Sequence, residues 1–406
     1  MSASIDTRSL RPGDTFYALA GEHRDGHEFV GAALGAGAAL AVVEAERARQ
    51  FPAAWSARLR VVADPLQALQ KDAQRQRRAW GGPLVAITGS AGKTTTKEMI
   101  AAVLGTRMRV LKSEANYNNH LGVPLTLLAL RPEHEVAVVE MGMNHAGEIA
   151  ALARIGEPTM AVFTNVGSAH LGNLGSIEAI AEAKRELARA IPPTGTLVLN
   201  RDDVRVATFG EGFGGTVRFY SAEDLQTQLQ LPGMHNRANA AAAVAVGELF
   251  GIAPDEAARA LGAMRPLPGR GEILHHQGMT LIEDCYNANP EAMMRMLAVL
   301  AATPAERHIA VLGEMRELGS AAGILHRQVG AAAAASRVDA LWVVGPEAQP
   351  MREGACAAGL DGPVHYCETV AEVVPALRRF LRPGDAVLFK ASHSLHLEVA
   401  VKALVS

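Results

Sequence analysis

Cysteine is scarce in this chain. Cys285, Cys356 and Cys367 are widely spaced and odd in number among 406 residues, which excludes a disulfide framework and a zinc-type ligand spacing. A reducing compartment suits them, and a cytoplasmic location is the expectation. An excess of charge of one sign is missing too: the formal net charge is −3, so no general attraction to nucleic acid or to an anionic membrane is indicated. Long apolar runs are also absent. The Ala/Gly-rich stretches at 30–43 and 330–335 are too short or too broken by glycine to span a bilayer. Residues 1–10 lack the basic region and apolar core of a signal peptide. No membrane insertion is expected. The chain has no solenoid-like repeat and no low-complexity tail. Its one basic cluster, Arg75, Arg77 and Arg78, reads as a solvated helix face.

What is present is an ordinary globular balance, 49% apolar and 20% charged, on a chain long enough for two or three cores. Residues 1–80 read as a small α/β unit, with the turn Arg11-Pro-Gly-Asp14, an apparent helix and a strand over 38–43. From 81 to 264, strand signals at 84–88, 135–140, 160–165 and 195–200 alternate with helix signals, the pattern of a parallel sheet wrapped by helices. The alternation restarts in 265–406, with strands expected at 279–283, 308–313, 341–345 and 386–390. Arg265-Pro-Leu-Pro-Gly-Arg270 suits a hinge, since two prolines exclude a helix and a glycine permits a turn.

The segment Ala86-Ile-Thr-Gly-Ser-Ala-Gly-Lys-Thr-Thr-Thr-Lys-Glu-Met99 carries the clearest chemistry. An apolar strand runs into a glycine turn, then into a lysine and a run of helix formers. Such a loop aims backbone N–H groups at phosphate oxygens, and the helix adds its positive end. The spacing Gly89, Gly92, Lys93, Thr94 is a shortened form of the common phosphate-loop pattern. Beside it, Glu140 ends an apolar strand where a magnesium nucleotide needs a carboxylate. Thr164, Asn165 and His170 follow the next strand, where a parallel sheet opens its ligand crevice. Taken alone, His170 suits a surface or packing role, and Lys184 suits a solvated helix face.

Taken together, Gly89-Ser-Ala-Gly-Lys-Thr-Thr95, Asn116-Tyr-Asn-Asn-His-Leu-Gly-Val-Pro124, Glu140-Met-Gly-Met-Asn-His145, His170 and Ala183-Lys184 resemble the Mur ligases. Leu231-Pro-Gly-Met-His-Asn-Arg-Ala-Asn239 and Asp284-Cys-Tyr-Asn-Ala-Asn-Pro290 extend the likeness over nearly the whole chain. Tyr286-Asn-Ala-Asn-Pro290, Val311-Leu-Gly-Glu-Met-Arg-Glu-Leu-Gly319 and Asn118-Asn119 are most similar to the branch that adds D-alanyl-D-alanine to UDP-N-acetylmuramoyl-tripeptide. The Asp-Asn-Pro-Arg motif of the diaminopimelate-adding branch is absent. Asp6-Thr-Arg8, Arg11-Pro-Gly-Asp14 and Gly21-Glu-His-Arg-Asp-Gly-His27 resemble the part that holds the UDP end. Three departures stand out: that first block begins at residue 6, the stretch 201–231 is short, and Lys390-Ala-Ser-His393 replaces the usual Lys-Gly-Ser-Arg.

The resemblance implies three α/β domains: a central P-loop parallel-sheet domain over 81–264, a small N-terminal substrate-binding domain over 1–80, and a C-terminal Rossmann-like domain over 265–406. It implies ATP and Mg2+, with Thr88, Gly89, Ser90, Ala91, Gly92, Lys93 and Thr94 around the phosphates. Thr94 and Glu140 would hold a first Mg2+, and His170 and a carbamylated Lys184 a second. Lys93, His170 and Lys184 would be the catalytic set. Asn236 and Asn239 would read adenine, Asp284 the ribose and Arg270 a phosphate; helix capping by the two asparagines and a turn role for Asp284 remain alternatives. Thr7, Arg8, Asn118, Asn119, Asn287 and Asn289 would touch substrate, and the enzyme would be a monomer. Two other readings stay open: another Mur-type or folylpolyglutamate-type amide ligase, or an ATP-binding switch without ligase chemistry. The lack of an Asn-Lys-x-Asp block argues against a common GTPase.

Overall fold

In a computed structural model, residues 2–21 and 24–406 are described. Glu22 and His23, part of the block assigned to UDP binding, lie outside the described residues. Among the described residues the chain builds three sheets. The N-terminal one is parallel, with Ala3–Ser4, Thr15–Tyr17, Leu40–Glu44 and Leu59–Val62 in chain order.

The central sheet is parallel throughout, in the order Thr216–Tyr220, Thr196–Asn200, Met160–Phe163, Leu84–Thr88, Val136–Glu140, Val110–Lys112. Its inner strands are apolar because helices cover both faces: every residue of Leu84–Thr88, Val136–Glu140 and Met160–Phe163 is buried. Leu84–Thr88 lies between Val136–Glu140 and Met160–Phe163. The chain first builds to one side of it and then to the other. A crevice therefore opens at the carboxyl ends of these strands, where the order reverses.

The C-terminal sheet runs Glu272–His276, Met279–Glu283, Asp385–Lys390, Arg307–Gly313, Ala340–Val344, Val364–Cys367. Only its first pair is antiparallel. Between the second and third sheets, 265–270 makes a turn without helix. Gly269 and Gly271 have φ of 69° and 75°, and Gly271 N–H donates to Glu283 O at 2.9 Å. These are conformations that a glycine adopts without strain.

The basic cluster departs from its expected role. On the helix Pro65–Trp80, Arg77 is buried and donates to the carbonyls of Gly156 and Glu157 at 2.8 and 3.0 Å. Arg75 and Arg78 stay exposed and pair with Asp72 and Glu157, so the departure lies in Arg77 alone. The reason is that this helix packs between two units. Tyr17 and Arg60 of the N-terminal sheet bond its Asp72, while Gln76 and Trp80 bond the carbonyls of Leu130 and His134.

Two helices of the C-terminal unit, Ala322–Ala335 and Gln349–Ala357, meet through glycines. A Cβ on Gly330 would stand 1.9 Å from Met351 O, and one on Gly354 would stand 2.0 Å from Arg327 O. Gly354→Ala is therefore expected to cost about 1–3 kcal/mol by overpacking, read as a lower urea midpoint. A wild-type midpoint would contradict so close an approach.

Candidate functional site

Leu84–Thr88 delivers a turn that only small residues fit. A Cβ on Gly89 would stand 1.8 Å from Thr164 Oγ1; Gly92 has a φ of 82°, with Asn239 Oδ1 2.6 Å from where its Cβ would be. The helix Lys93–Leu104 starts directly after. Asn165 ties down part of the turn: Ser90 N–H reaches its carbonyl at 3.0 Å, and Ala91 N–H reaches its Oδ1 at 3.0 Å. Thr164 Oγ1 and Asn165 Nδ2 in turn donate to Ala91 O. Lys93 Nζ folds back onto Gly89 O at 2.8 Å. Its pKa lies below the usual lysine value because burial opposes its charge more than Glu140 supports it.

Thr94 Oγ1 donates to Glu140 Oε2 at 2.7 Å, and Asn118 Nδ2 donates to Glu140 Oε1 at 2.7 Å. Both carboxylate oxygens and a hydroxyl thus converge at the start of the helix. The buried Lys97 supports this corner by bonding the carbonyls of Ser113 and Ala115 at 2.7 and 3.0 Å. Across the gap from the third sheet comes Arg270, whose guanidinium lies 3.8 Å over the Tyr286 ring and donates to Thr94 Oγ1 at 3.2 Å.

These groups line a cleft of ≈ 770 Å³ between the central and C-terminal units. Asn236 and Asn239 line it too. Neither caps the helix Met234–Leu249, whose N-cap is Gly233: Asn236 Nδ2 donates to Pro232 O at 2.8 Å, and Asn239 Oδ1 accepts from Thr96 Oγ1 at 3.1 Å. Opposite them, Asp284 forms a 2.6 Å ion pair with Lys390, which also donates to Asn287 O at 2.8 Å. His170, φ 67°, has Nδ1 2.7 Å from Glu317 Oε2 but out of line for a hydrogen bond. That contact leads the effects holding the Glu317 carboxyl below its usual range.

Most of the residues expected in the site therefore meet in one cleft: Ser90, Ala91, Gly92, Lys93, Thr94, Asn118, Glu140, His170, Asn236, Asn239, Arg270, Asp284, Asn287 and Asn289. Thr88 and Gly89 are buried and do not line it. Lys184 does not line it either; it is buried, with no hydrogen bond or ion pair among the described residues, and burial followed by the charge of Lys93 holds its pKa well below the usual value. Asn119 Oδ1 accepts the N–H groups of Leu121 and Gly122 instead of facing the cleft. Asn289 lines the cleft while capping the helix Pro290–Ala302. Thr7 and Arg8 stand on the N-terminal unit outside the cleft, Arg8 paired with Asp6. Sequence reading did not single out Arg295, Glu317 or Lys390 as site residues. Lys390 had a signal in the apolar strand that ends on it and Glu317 lay within the block 311–319, while Arg295 had none beyond its helix.

Fold and cleft together define a three-domain α/β protein with a phosphate loop facing a second, mostly parallel sheet. Two models match it, the Mur ligase middle domain at residues 87–223 and the Mur ligase, glutamate ligase domain at residues 269–393. UDP-N-acetylmuramoyl-tripeptide--D-alanyl-D-alanine ligase of Synechocystis is 40% identical, covering 99% of this chain and 91% of that protein. The Bacillus subtilis enzyme of that name is 36% identical, covering 99% and 92%. Among solved structures, MurF from Acinetobacter baumannii superposes with a TM-score of 0.88 at 30% identity, covering 100% of this chain and 93% of that one. MurF ligase from Thermotoga maritima in complex with ADP gives 0.85 at 27%, covering 99% and 96%. The chain belongs to the Mur ligase family.

His235, also in the cleft, has its pKa lowered from the ordinary 6.5 to about 4, by burial first and by Arg295 next. The unfolded chain takes up this proton below 6.5 and the folded one resists it until about 4. Stability from this group is present above 6.5 and is lost as pH falls through that window. His235→Gln should accordingly lose less unfolding free energy than wild type between pH 6.5 and 4, measured by denaturant titration. Parallel curves would remove the assignment.

Proposed function

We propose that this chain is an ATP-dependent ligase that joins D-alanyl-D-alanine to the tripeptide carboxylate of UDP-N-acetylmuramoyl-tripeptide, releasing ADP and phosphate, as a cytoplasmic monomer in peptidoglycan precursor synthesis. The observation that carries this reading is the meeting of Lys93, Thr94, Glu140, Arg270 and Asp284 in one cleft, on a chain similar over nearly its full length to ligases of that name. Its parts would be 1–80 for the UDP end, 81–264 for ATP and 265–406 for closing the cleft.

A carboxylate does not condense with an amine in water, because its oxygen is a poor leaving group. Transfer of the γ-phosphoryl group to the carboxylate gives an acyl phosphate and ADP; the amine then attacks the acyl carbon, forming the amide bond, losing a proton and expelling phosphate. Such transfer needs positioning and charge neutralisation more than covalent help from the protein. Lys93 lies beside the turn and would exchange Gly89 O for phosphate oxygens. Gly92, Lys93 and Thr94 offer N–H groups at the helix start with no acceptor among the described residues. Asn236 and Asn239, which line the cleft, would read the base, Asp284 would hold ribose hydroxyls and Arg270 a phosphate reached from the other domain.

The paired oxygens of Thr94 and Glu140 are hard donors that fit Mg2+. Bound there and at His170 with Lys184, Mg2+ would supply neutralisation of phosphate charge. Lys184 suits that second place only as an anion. Its buried amine has no hydrogen bond or ion pair among the described residues and is biased toward the neutral form, and only a neutral amine adds CO2 to give a carbamate. A plain ammonium would repel the cation.

Acceptor choice tests the function. Purified protein with ATP, Mg2+ and UDP-N-acetylmuramoyl-tripeptide should release phosphate with D-alanyl-D-alanine and not with single amino acids or glutamate, and mass spectrometry should find the pentapeptide product. Phosphate release with another acceptor, or ATP binding with no turnover at all, would replace this reading with one of its rivals. For Lys184, replacement by alanine should remove nearly all turnover, keep ATP binding, and be partly rescued by short carboxylic acids. Near-normal turnover of Lys184→Ala would sink the carbamate.

A further inference from the structure

Two glutamates of the C-terminal unit reach into the segment that follows the central strand Met160–Phe163. Glu291, in the first turn of Pro290–Ala302, accepts the Ser168 N–H on one oxygen and the Ser168 Oγ–H on the other, each at 2.9 Å. Ser168 is 3% exposed. Glu317 carries the second contact: its carbonyl accepts the Gly172 N–H at 3.2 Å, and a Cβ on Gly172 would stand 2.7 Å from Gly319 N.

The segment is bonded just as closely on its other side. Gly167 N–H donates to Ser90 Oγ at 2.9 Å, and Ser90 Oγ donates to Gly167 O at 3.1 Å. Ser90 belongs to the phosphate turn, and its neighbour Ala91 is held by Asn165 and Thr164. A continuous path of direct hydrogen bonds and one peptide link thus runs from Glu291 through Ser168 and Gly167 to Ser90. It spans two domains and uses none of the groups assigned to ATP, metal or substrate except Ser90 itself. Gly167 leaves the path its room, since a Cβ there would stand 3.0 Å from Glu291 Cδ.

We infer that Glu291 is a positioning residue: by holding both polar groups of Ser168, it ties the seat of the C-terminal unit to the shape of the phosphate turn. Two bonds to one buried serine fix an angle as well as a distance, which a single bond to an exposed residue does not. A C-terminal unit that swings on 265–271 makes or breaks both bonds together. The segment that bonds the turn through Gly167 is then braced by Glu291 only when Arg270 and Asp284 are also over the cleft. The catalytic consequence rests on the ligase reading; the coupling of Glu291 to the turn does not.

Two substitutions separate this from a merely adhesive contact. Gln at position 291 can still accept from the Ser168 N–H and donate to its Oγ, whereas Ala does neither. Glu291→Ala should lower kcat at least tenfold while changing KM for ATP less than threefold, and Glu291→Gln should restore kcat to within about threefold of wild type. Hydrogen exchange of the peptide covering residues 88–92, measured with a non-hydrolysed ATP analogue, should be faster in Glu291→Ala than in wild type or Glu291→Gln. Unchanged kcat in Glu291→Ala, or a loss that Gln does not restore, overturns the positioning role. If wild type releases no phosphate with any acceptor, the ligase reading has failed, and the exchange measurement alone decides the coupling: equal exchange in Glu291→Ala and wild type overturns it.

Discussion

The seating of Gly89 against Thr164 is the constraint on which the rest of the site depends. Two neighbouring parallel strands end side by side, and the first must turn away at once because Thr164 Oγ1 occupies the place of a side chain at Gly89. That turn puts Ser90 and Ala91 within reach of Asn165 and leaves the next three residues to open a helix. With its early N–H groups held by protein, the loop presents its later ones to the cleft. The same strand end that shapes the loop continues into Ser168 and His170, so contacts with the third domain begin only a few residues from the phosphate site. Loop geometry and domain docking therefore share one short segment.

Charge in the cleft follows a common pattern. Lys93 has Gly89 O, Arg270 has Thr94 Oγ1 and Lys390 has Asp284 as internal acceptors. An entering anion meets these cations already hydrogen-bonded, so it exchanges partners instead of relieving bare charge. That keeps the buried cations from the large cost of isolation. Arg295 is different: burial lowers its pKa while Glu291 and Asp203 oppose the change, and no hydrogen bond holds it among the described residues. It lines the same cleft.

How much of this was legible in the sequence depended on distance along the chain. The phosphate turn is a local event, and its residues announce it. Glu140, Thr164 and Asn165 were legible because a buried parallel strand is an uninterrupted apolar run and its carboxyl end is then known, whereas His170 entered only through the family resemblance. Edge strands were missed for the opposite reason. Val110–Lys112 is three residues long, and Thr216–Tyr220 exposes Thr216, Arg218 and Phe219. Neither has the apolar run that marks an inner strand. Arg77 looked solvated because its helix has an ordinary polar face; only the second unit packed on that face makes it buried. Lys390 with Asp284 and Glu291 with Ser168 are separated by more than a hundred residues, and no spacing rule connects them.

The N-terminal sheet stands apart from the cleft, yet it is not loosely attached. Asp72 on the helix Pro65–Trp80 accepts from Tyr17 and Arg60 on one side, while Arg77 and Trp80 of the same helix bond carbonyls of the central unit on the other. A helix held at both faces transmits position better than a free linker does, because neither unit can rotate without breaking buried bonds. Thr7 and Arg8 therefore sit at a set remove from Lys93 and Glu140. On the ligase reading, a substrate recognised at the first sheet would have to span that remove to bring its carboxylate to the phosphate turn. Such remote contacts act by orienting the reacting end rather than by touching it.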